Sequence, residues 1–201
     1  MNILLVHGLG RTPLSLWSMS SALRKAGHKT EFFGYTTVLQ SFDEIALRLR
    51  DRLRSLATLG PYGLVTHSMG SILTRAALAN ADFPQPEHVV MLAPPNSSPR
   101  AARIANQLPP FRWFANQSGE NMANPKFYSQ LPALECPYTL IAGTSGPTGS
   151  LSPFRNEVND LIVGISEIRM RPDDSVIELP ALHSFMMNRE DVQKATISAL
   201  G

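Results

Sequence analysis

Short apolar runs and helical periodicities alternate along this chain. The residues Ile3-Leu4-Leu5-Val6 are apolar at every position and end in His7-Gly8-Leu9-Gly10. A run without polar alternation predicts a strand covered on both faces, as in a parallel sheet. Thr12-Pro13 then offers an N-cap followed by proline at the first helical position. Leu16, Met19, Leu23 and Ala26 recur at helical spacing until Gly27 stops the pattern. A second helix carries the apolar stripe Phe42, Ile45, Leu49, Leu53 and Leu56. Further β-like runs are Phe32-Phe33, Gly63-Leu64-Val65, 89–92, Tyr138–Gly143 and 175–179, with helices predicted over 71–79 and up to about Leu200. Strands and helices taking turns in this way predict an α/β architecture.

One of those junctions carries chemistry. Thr66-His67-Ser68-Met69-Gly70 lies between a β-run and a helical pattern, which reads as strand, sharp turn and helix with a serine at the apex. Such a turn lifts the hydroxyl above the carboxyl end of a sheet. The N-terminus of the following helix favours negative charge developing beside it. Acyl transfer needs two backbone N–H donors aimed at one point. The glycine-bounded loop after the first strand can supply one, assigned to Leu9, and the residue after the serine, Met69, supplies the other. The glycines fit no nucleotide motif: Gly8-Leu9-Gly10-Arg11-Thr12-Pro13 lacks the third glycine of a dinucleotide fingerprint and the Gly-Lys-Ser/Thr of a P-loop.

His-Gly-Leu-Gly after the first strand and the Thr-His-Ser-Met-Gly turn together resemble the α/β-hydrolase superfamily, in particular its small lipase and esterase members with little or no lid. The first place of the turn, where that family usually has glycine, is Thr66 here. The resemblance extends over nearly the whole chain. It implies a mostly parallel central sheet with helices on both faces and a minimal cap, and the chain order nucleophile, acid, histidine.

His7 and His67 belong to the motifs already described, and His28 and His88 each precede a strand, at the end of the sheet away from ligands. His183 follows the run 175–179 and precedes the last helix, so it is the candidate base. For the acid, the resemblance points to the pair Asn159-Asp160 before a short apolar run, with Leu161 where glycine would be usual. Asp173 and Asp174 compete, although Arg171-Pro172-Asp173-Asp174-Ser175 reads as an exposed turn. With Ser68 as nucleophile, His183 as base and Asp160 as the orienting carboxylate, the chemistry is acyl transfer through an acyl-enzyme, with no cofactor and no metal.

Composition narrows the setting. The 201 residues, 43% of them hydrophobic, suit a single domain over 1–201. One cysteine, Cys136, forbids an internal disulfide and reads as filling beside Pro137. The first apolar run is too short for a signal peptide or a span, so the expected location is cytoplasmic, without membrane insertion. A net charge of +2 does not argue for nucleic acid, and Arg48, Arg50, Arg52 and Arg54 decorate the solvent side of their helix. The sequence carries no mark of oligomeric state.

An insert over 93–137 holds Pro94-Pro95, Pro109-Pro110, Phe111, Trp113, Phe114, Phe127 and Tyr128. It leaves the sheet on the carboxyl side. Its aromatics either wall an acyl pocket or pack the insert onto the body, and its prolines argue against a long mobile helical lid. Met186 and Met187 read as core. The expected activity is hydrolysis of carboxylic esters, the substrate being a small ester or a lipid-derived one. An acyltransferase using the same residues, or a non-catalytic ligand-binding member of the fold, are the alternatives.

Overall fold

The structure is a computed structural model that describes residues 1–79 and 83–201, with backbone only for 110–114. Its strands are β1 (Asn2–Val6), β2 (Lys29–Phe33), β3 (Tyr62–His67), β4 (His88–Leu92), β5 (Tyr138–Gly143) and β6 (Val176–Leu179). All pair in parallel, in the order β2-β1-β3-β4-β5-β6. The helices are α1 (Trp17–Lys25), α2 (Phe42–Ala57), α3 (Met69–Ala77), α4 (Arg100–Ala105), α5 (Pro109–Ala123), α6 (Pro125–Gln130) and α7 (Glu190–Leu200).

Alternation along each strand divides the interior into two layers. Leu4, Val6, Leu64, Val89, Met91 and Leu140 face α2 and α3, whereas Ile3, Leu5, Val65, Val90, Leu92 and Ile141 face α1 and α7. The continuous apolar runs follow from this, because both faces of every central strand are covered. On α2 the stripe Phe42, Ile45, Leu49, Leu53 and Leu56 is buried, each side chain contributing about 1.5–3 kcal/mol of transfer free energy. Ser41 starts that helix through a capping box, its backbone N–H donating to Glu44 Oε2 at 2.8 Å. Met186 and Met187 are buried against α7.

Parallel strands put all their carboxyl ends at one edge. The order reverses between β1 and β3, and the loops that follow these two strands flank a crevice there. Two local expectations change. Thr12 does not cap a helix with its side chain; Pro13–Leu16 is a 3₁₀ turn and α1 starts at Trp17. Ala26, expected on the apolar stripe, is exposed because the helix has already ended at Lys25.

The insert also differs from expectation. It builds α4, α5 and α6, and its prolines begin helices instead of breaking them: Pro109 and Pro125 occupy first-turn positions, where no intrahelical N–H is needed. Inside α5 the helix is kinked at Asn116, whose φ is 48°.

Candidate active site

Ser68 stands between β3 and α3 with φ 51° and ψ −123°, a left-handed conformation unusual outside glycine. Strain of this kind costs of order 1–3 kcal/mol and persists where the surroundings enforce it. The surroundings here are backbone. The Ser68 amide donates to Leu92 O at 2.9 Å, and its carbonyl accepts from Ser71 N at 2.9 Å. Gly70 lets α3 start against β1, since a Cβ there would lie 2.5 Å from Val6 O and 2.7 Å from His7 O. At Gly8 a Cβ would come within 2.9 Å of His67 Nδ1 and 3.0 Å of Ser68 Cβ. Thr66, in the place where a glycine was expected, is buried and shares a 2.8 Å hydrogen bond between its Oγ1 and Ser71 Oγ. Its hydroxyl ties the strand end to the first turn of the helix.

His183 lies in the loop after β6, and its Nδ1 is 2.7 Å from Asp160 Oδ2. The carboxylate only accepts, so Nδ1 carries the proton and Nε2 keeps its lone pair. Asp160 is fully buried. Its Oδ1 accepts from Ile162 N at 3.0 Å and Val163 N at 2.7 Å, and its carbonyl accepts from His183 N at 3.0 Å. The loop that presents it closes through Asn159, whose Oδ1 accepts from Leu161 N at 2.9 Å and whose Nδ2 donates to Pro147 O at 3.0 Å. Leu161, where glycine would be usual, has φ 90°. The turn keeps its geometry and places the strain on a leucine.

The competing carboxylates lie elsewhere. Asp174 accepts from the Tyr138 hydroxyl at 2.5 Å and from Met170 N and Arg171 N, both at 2.8 Å. Tyr138 opens β5, so this cluster sits at the amino ends of the strands, whereas Asp160 meets Gly143 at the carboxyl end of β5. Asp173 is exposed.

Two further histidines lie close by, the ring of His67 being 4.9 Å from that of His183. His67 is buried and its Nε2 is 3.0 Å from the His183 carbonyl, which fixes the proton on Nε2. Burial, and then the neighbouring His183, hold its pKa well below 6.5, with Arg11 and His7 acting in the same direction. His7 stacks on Tyr35 at 4.1 Å, and burial lowers its pKa also. Cys136 is buried and its thiol pKa is pushed up to about 11 by burial, which leaves it an inert packing group.

Ser68 and His183 both line a cavity of about 210 Å³, shared with Leu9, Met122, Ile162 and Val163 and with small residues of the insert. Met69 is the first residue of α3, so its N–H lies in the turn that has no intrahelical acceptors. Of the two readings open for the insert's aromatics, Phe127 and Tyr128 follow the second and pack the insert onto the body. Phe127 packs edge-on against Phe42 at 5.1 Å, and Tyr128 is buried in the core. The side chains of Phe111, Trp113 and Phe114 lie outside the described residues.

Arg75 went unnoticed in the sequence. It is buried on α3 and donates to Asn96 Oδ1 at 3.2 Å, Pro132 O at 3.0 Å and Leu131 O at 2.8 Å, so it joins both ends of the insert. The one charged residue in the predicted helix 71–79, an arginine, was the available signal. The Arg100 link between α4 and the loop that carries Asp160, to Glu157 and Glu167, had no local signature. Among the described residues, no group of His, Cys, Asp or Glu is placed to hold a metal ion, and no helix is long and apolar enough to cross a membrane.

The sequence matches no family model and no curated protein. Solved structures do resemble it. The mature lipase BlEst2 of Bacillus licheniformis superposes with a TM-score of 0.77 at 18% identity, over 99% of this chain and 91% of that one. This is the α/β-hydrolase fold. An extracellular α/β-hydrolase from a Paenibacillus species shares the fold with a TM-score of 0.64 at 15% identity, covering 100% and 97% of the two chains. The RedJ thioesterase of Streptomyces coelicolor gives 0.62 at 13% identity, covering 99% and 84%. In the α/β-hydrolase fold the loops after β1, β3, β5 and β6 meet at one edge, and here they carry Leu9, Ser68, Asp160 and His183 respectively.

Proposed function

We propose that the protein is a serine hydrolase of carboxylic esters, with Ser68 as nucleophile, His183 as base and Asp160 as the carboxylate that orients it. The observation that carries this reading is the 2.7 Å contact of His183 Nδ1 with a fully buried Asp160, beside a cavity that Ser68 and His183 share.

Ser68 Oγ gives its proton to His183 Nε2 and attacks the acyl carbon. Asp160 stabilises the imidazolium that forms and holds the ring in the tautomer that leaves Nε2 basic. The amides of Leu9 and Met69 receive the oxyanion. The C–O bond to the alcohol then breaks, and the alcohol leaves with the proton from His183. Water, activated by the same imidazole, adds to the acyl-enzyme, and the acid departs as Ser68 recovers its proton. Acyl, alcohol and water are the only reacting partners.

A fluorophosphonate probe tests the assignment. Phosphonylation of the native protein should map to Ser68 alone and disappear in Ser68→Ala. Labelling at another serine, or none in folded protein, refutes it.

A further inference from the structure

The cavity at Ser68 has a neighbour whose walls include an arginine and threonines. The loop after β1 and the loop after β2 enclose a second pocket of about 240 Å³, lined by Gly10, Arg11, Thr12, Tyr35 and Thr36 among others. Both loops follow carboxyl ends of strands, so this pocket opens at the same edge of the sheet as Ser68. The two spaces adjoin along the chain and across it. Leu9 lines the first and Gly10 the second, and Arg11 donates from Nη2 to the carbonyl of Ser184, which lines the first.

Their chemistry differs. Around Ser68 the walls are Met122, Ile162, Val163 and small apolar residues of the insert. The second pocket is lined by Arg11 and by Thr12 and Thr36. Among the described residues no Asp or Glu lines either space, and Arg11 has no carboxylate partner. Arg11 is held in place nonetheless, by Ser184 O and by the Phe185 ring 5.8 Å away. One of its five N–H donors is thereby used, and the others remain for a ligand. Its charge is near enough to the centre to act on His67.

We infer that the ester carries an anionic group, carboxylate or phosphate, on its alcohol side, and that Arg11 with Thr12 and Thr36 binds it. This rests on the hydrolase reading above. The side is set by the chemistry of departure: the leaving alcohol takes its proton from His183, and Arg11 is anchored on the residue after His183. The acyl chain then occupies the apolar cavity. A guanidinium with free donors pairs such an anion through charge-assisted hydrogen bonds.

The test compares kcat/KM for 3-carboxyphenyl butyrate and its neutral isostere 3-carbamoylphenyl butyrate, with a phosphate-bearing phenyl butyrate beside them. The wild type should favour one of the anionic esters by about tenfold or more, the scale of one charge-assisted hydrogen bond. That preference should shrink as salt is raised, fall towards unity in Arg11→Gln, and persist in good part in Arg11→Lys. Whichever anion is preferred identifies the group. Equal turnover of all three by the wild type overturns this inference alone. So does a preference that Arg11→Gln leaves intact. Turnover of none of them, together with an unlabelled Ser68, overturns the hydrolase reading with it.

Discussion

Two carboxylates that look alike in the sequence sit in different hydrogen-bond networks, and only one of them suits the proposed mechanism. Asp160 spends one oxygen on the amides of Ile162 and Val163 and the other on His183. Asp174 spends both oxygens on Tyr138, Met170 and Arg171, at the far end of the sheet. In Asp160→Asn the amide can still accept at the loop but offers His183 a donor or the wrong acceptor geometry, so the imidazole loses its productive tautomer. Turnover should fall by about 10³–10⁴, with the fold retained by circular dichroism. Asp174→Asn should do the reverse, lowering Tm while the rate at low temperature stays near wild type. If Asp174→Asn is the variant that abolishes turnover, the acid has been misassigned.

At the scale of elements, the site depends on how closely α3 approaches β1. That approach rests on Gly70, where any side chain would strike the carbonyls of Val6 and His7. Gly70→Ala forces the end of β1 to move, and with it the loop that carries Leu9. Its cost should be about 1–3 kcal/mol or more, the usual range for overpacking, read from a denaturant midpoint. Activity should fall further than stability explains, because the Leu9 amide moves with the strand. A wild-type rate with a shifted midpoint would show that this loop does not contribute to the chemistry.

The insert is the second element-scale feature. It is helical, yet Arg75 fastens both its ends to α3 and Arg100 ties α4 to the loop that carries Asp160. A cover held at its roots is poorly suited to swing open on a lipid surface. Rates on a p-nitrophenyl ester should therefore cross the solubility limit without a sharp rise; a sharp rise means that the insert moves.

For the molecule as a whole, the buried histidines set the response to acid. In the folded state burial lowers the pKa of His67 and His7 below the ordinary 6.5. The unfolded chain therefore binds protons first as pH falls. Stability from these groups is fully present above about pH 6.5 and declines below it until the folded pKa is passed. In that window the slope is at most about 1.4 kcal/mol per pH unit for each such histidine. Tm should be flat from pH 8 to pH 7 and drop below pH 6.5, and the drop should be shallower in His67→Asn. A Tm that holds to pH 5 contradicts this account.

What the sequence determined by itself is what depends on neighbours along the chain. The run Ile3-Leu4-Leu5-Val6, the stripe on α2 and the Thr-His-Ser-Met-Gly turn each encode their local form, because strand burial, helical periodicity and a tight turn act over a few residues. The fold class was legible from their alternation. The tertiary structure alone decided which groups meet across the chain. It brought Asp160 to His183 and kept Asp174 away, joined Arg75 to both ends of the insert, and decided between the two roles open to Phe127 and Tyr128 by packing them on the body. It also made the prolines of the insert the beginnings of helices, since Pro109 and Pro125 fall where no N–H is required. Contacts of this kind depend on which strand lies beside which and on what remains to be buried once the sheet has formed, and local spacing carries neither.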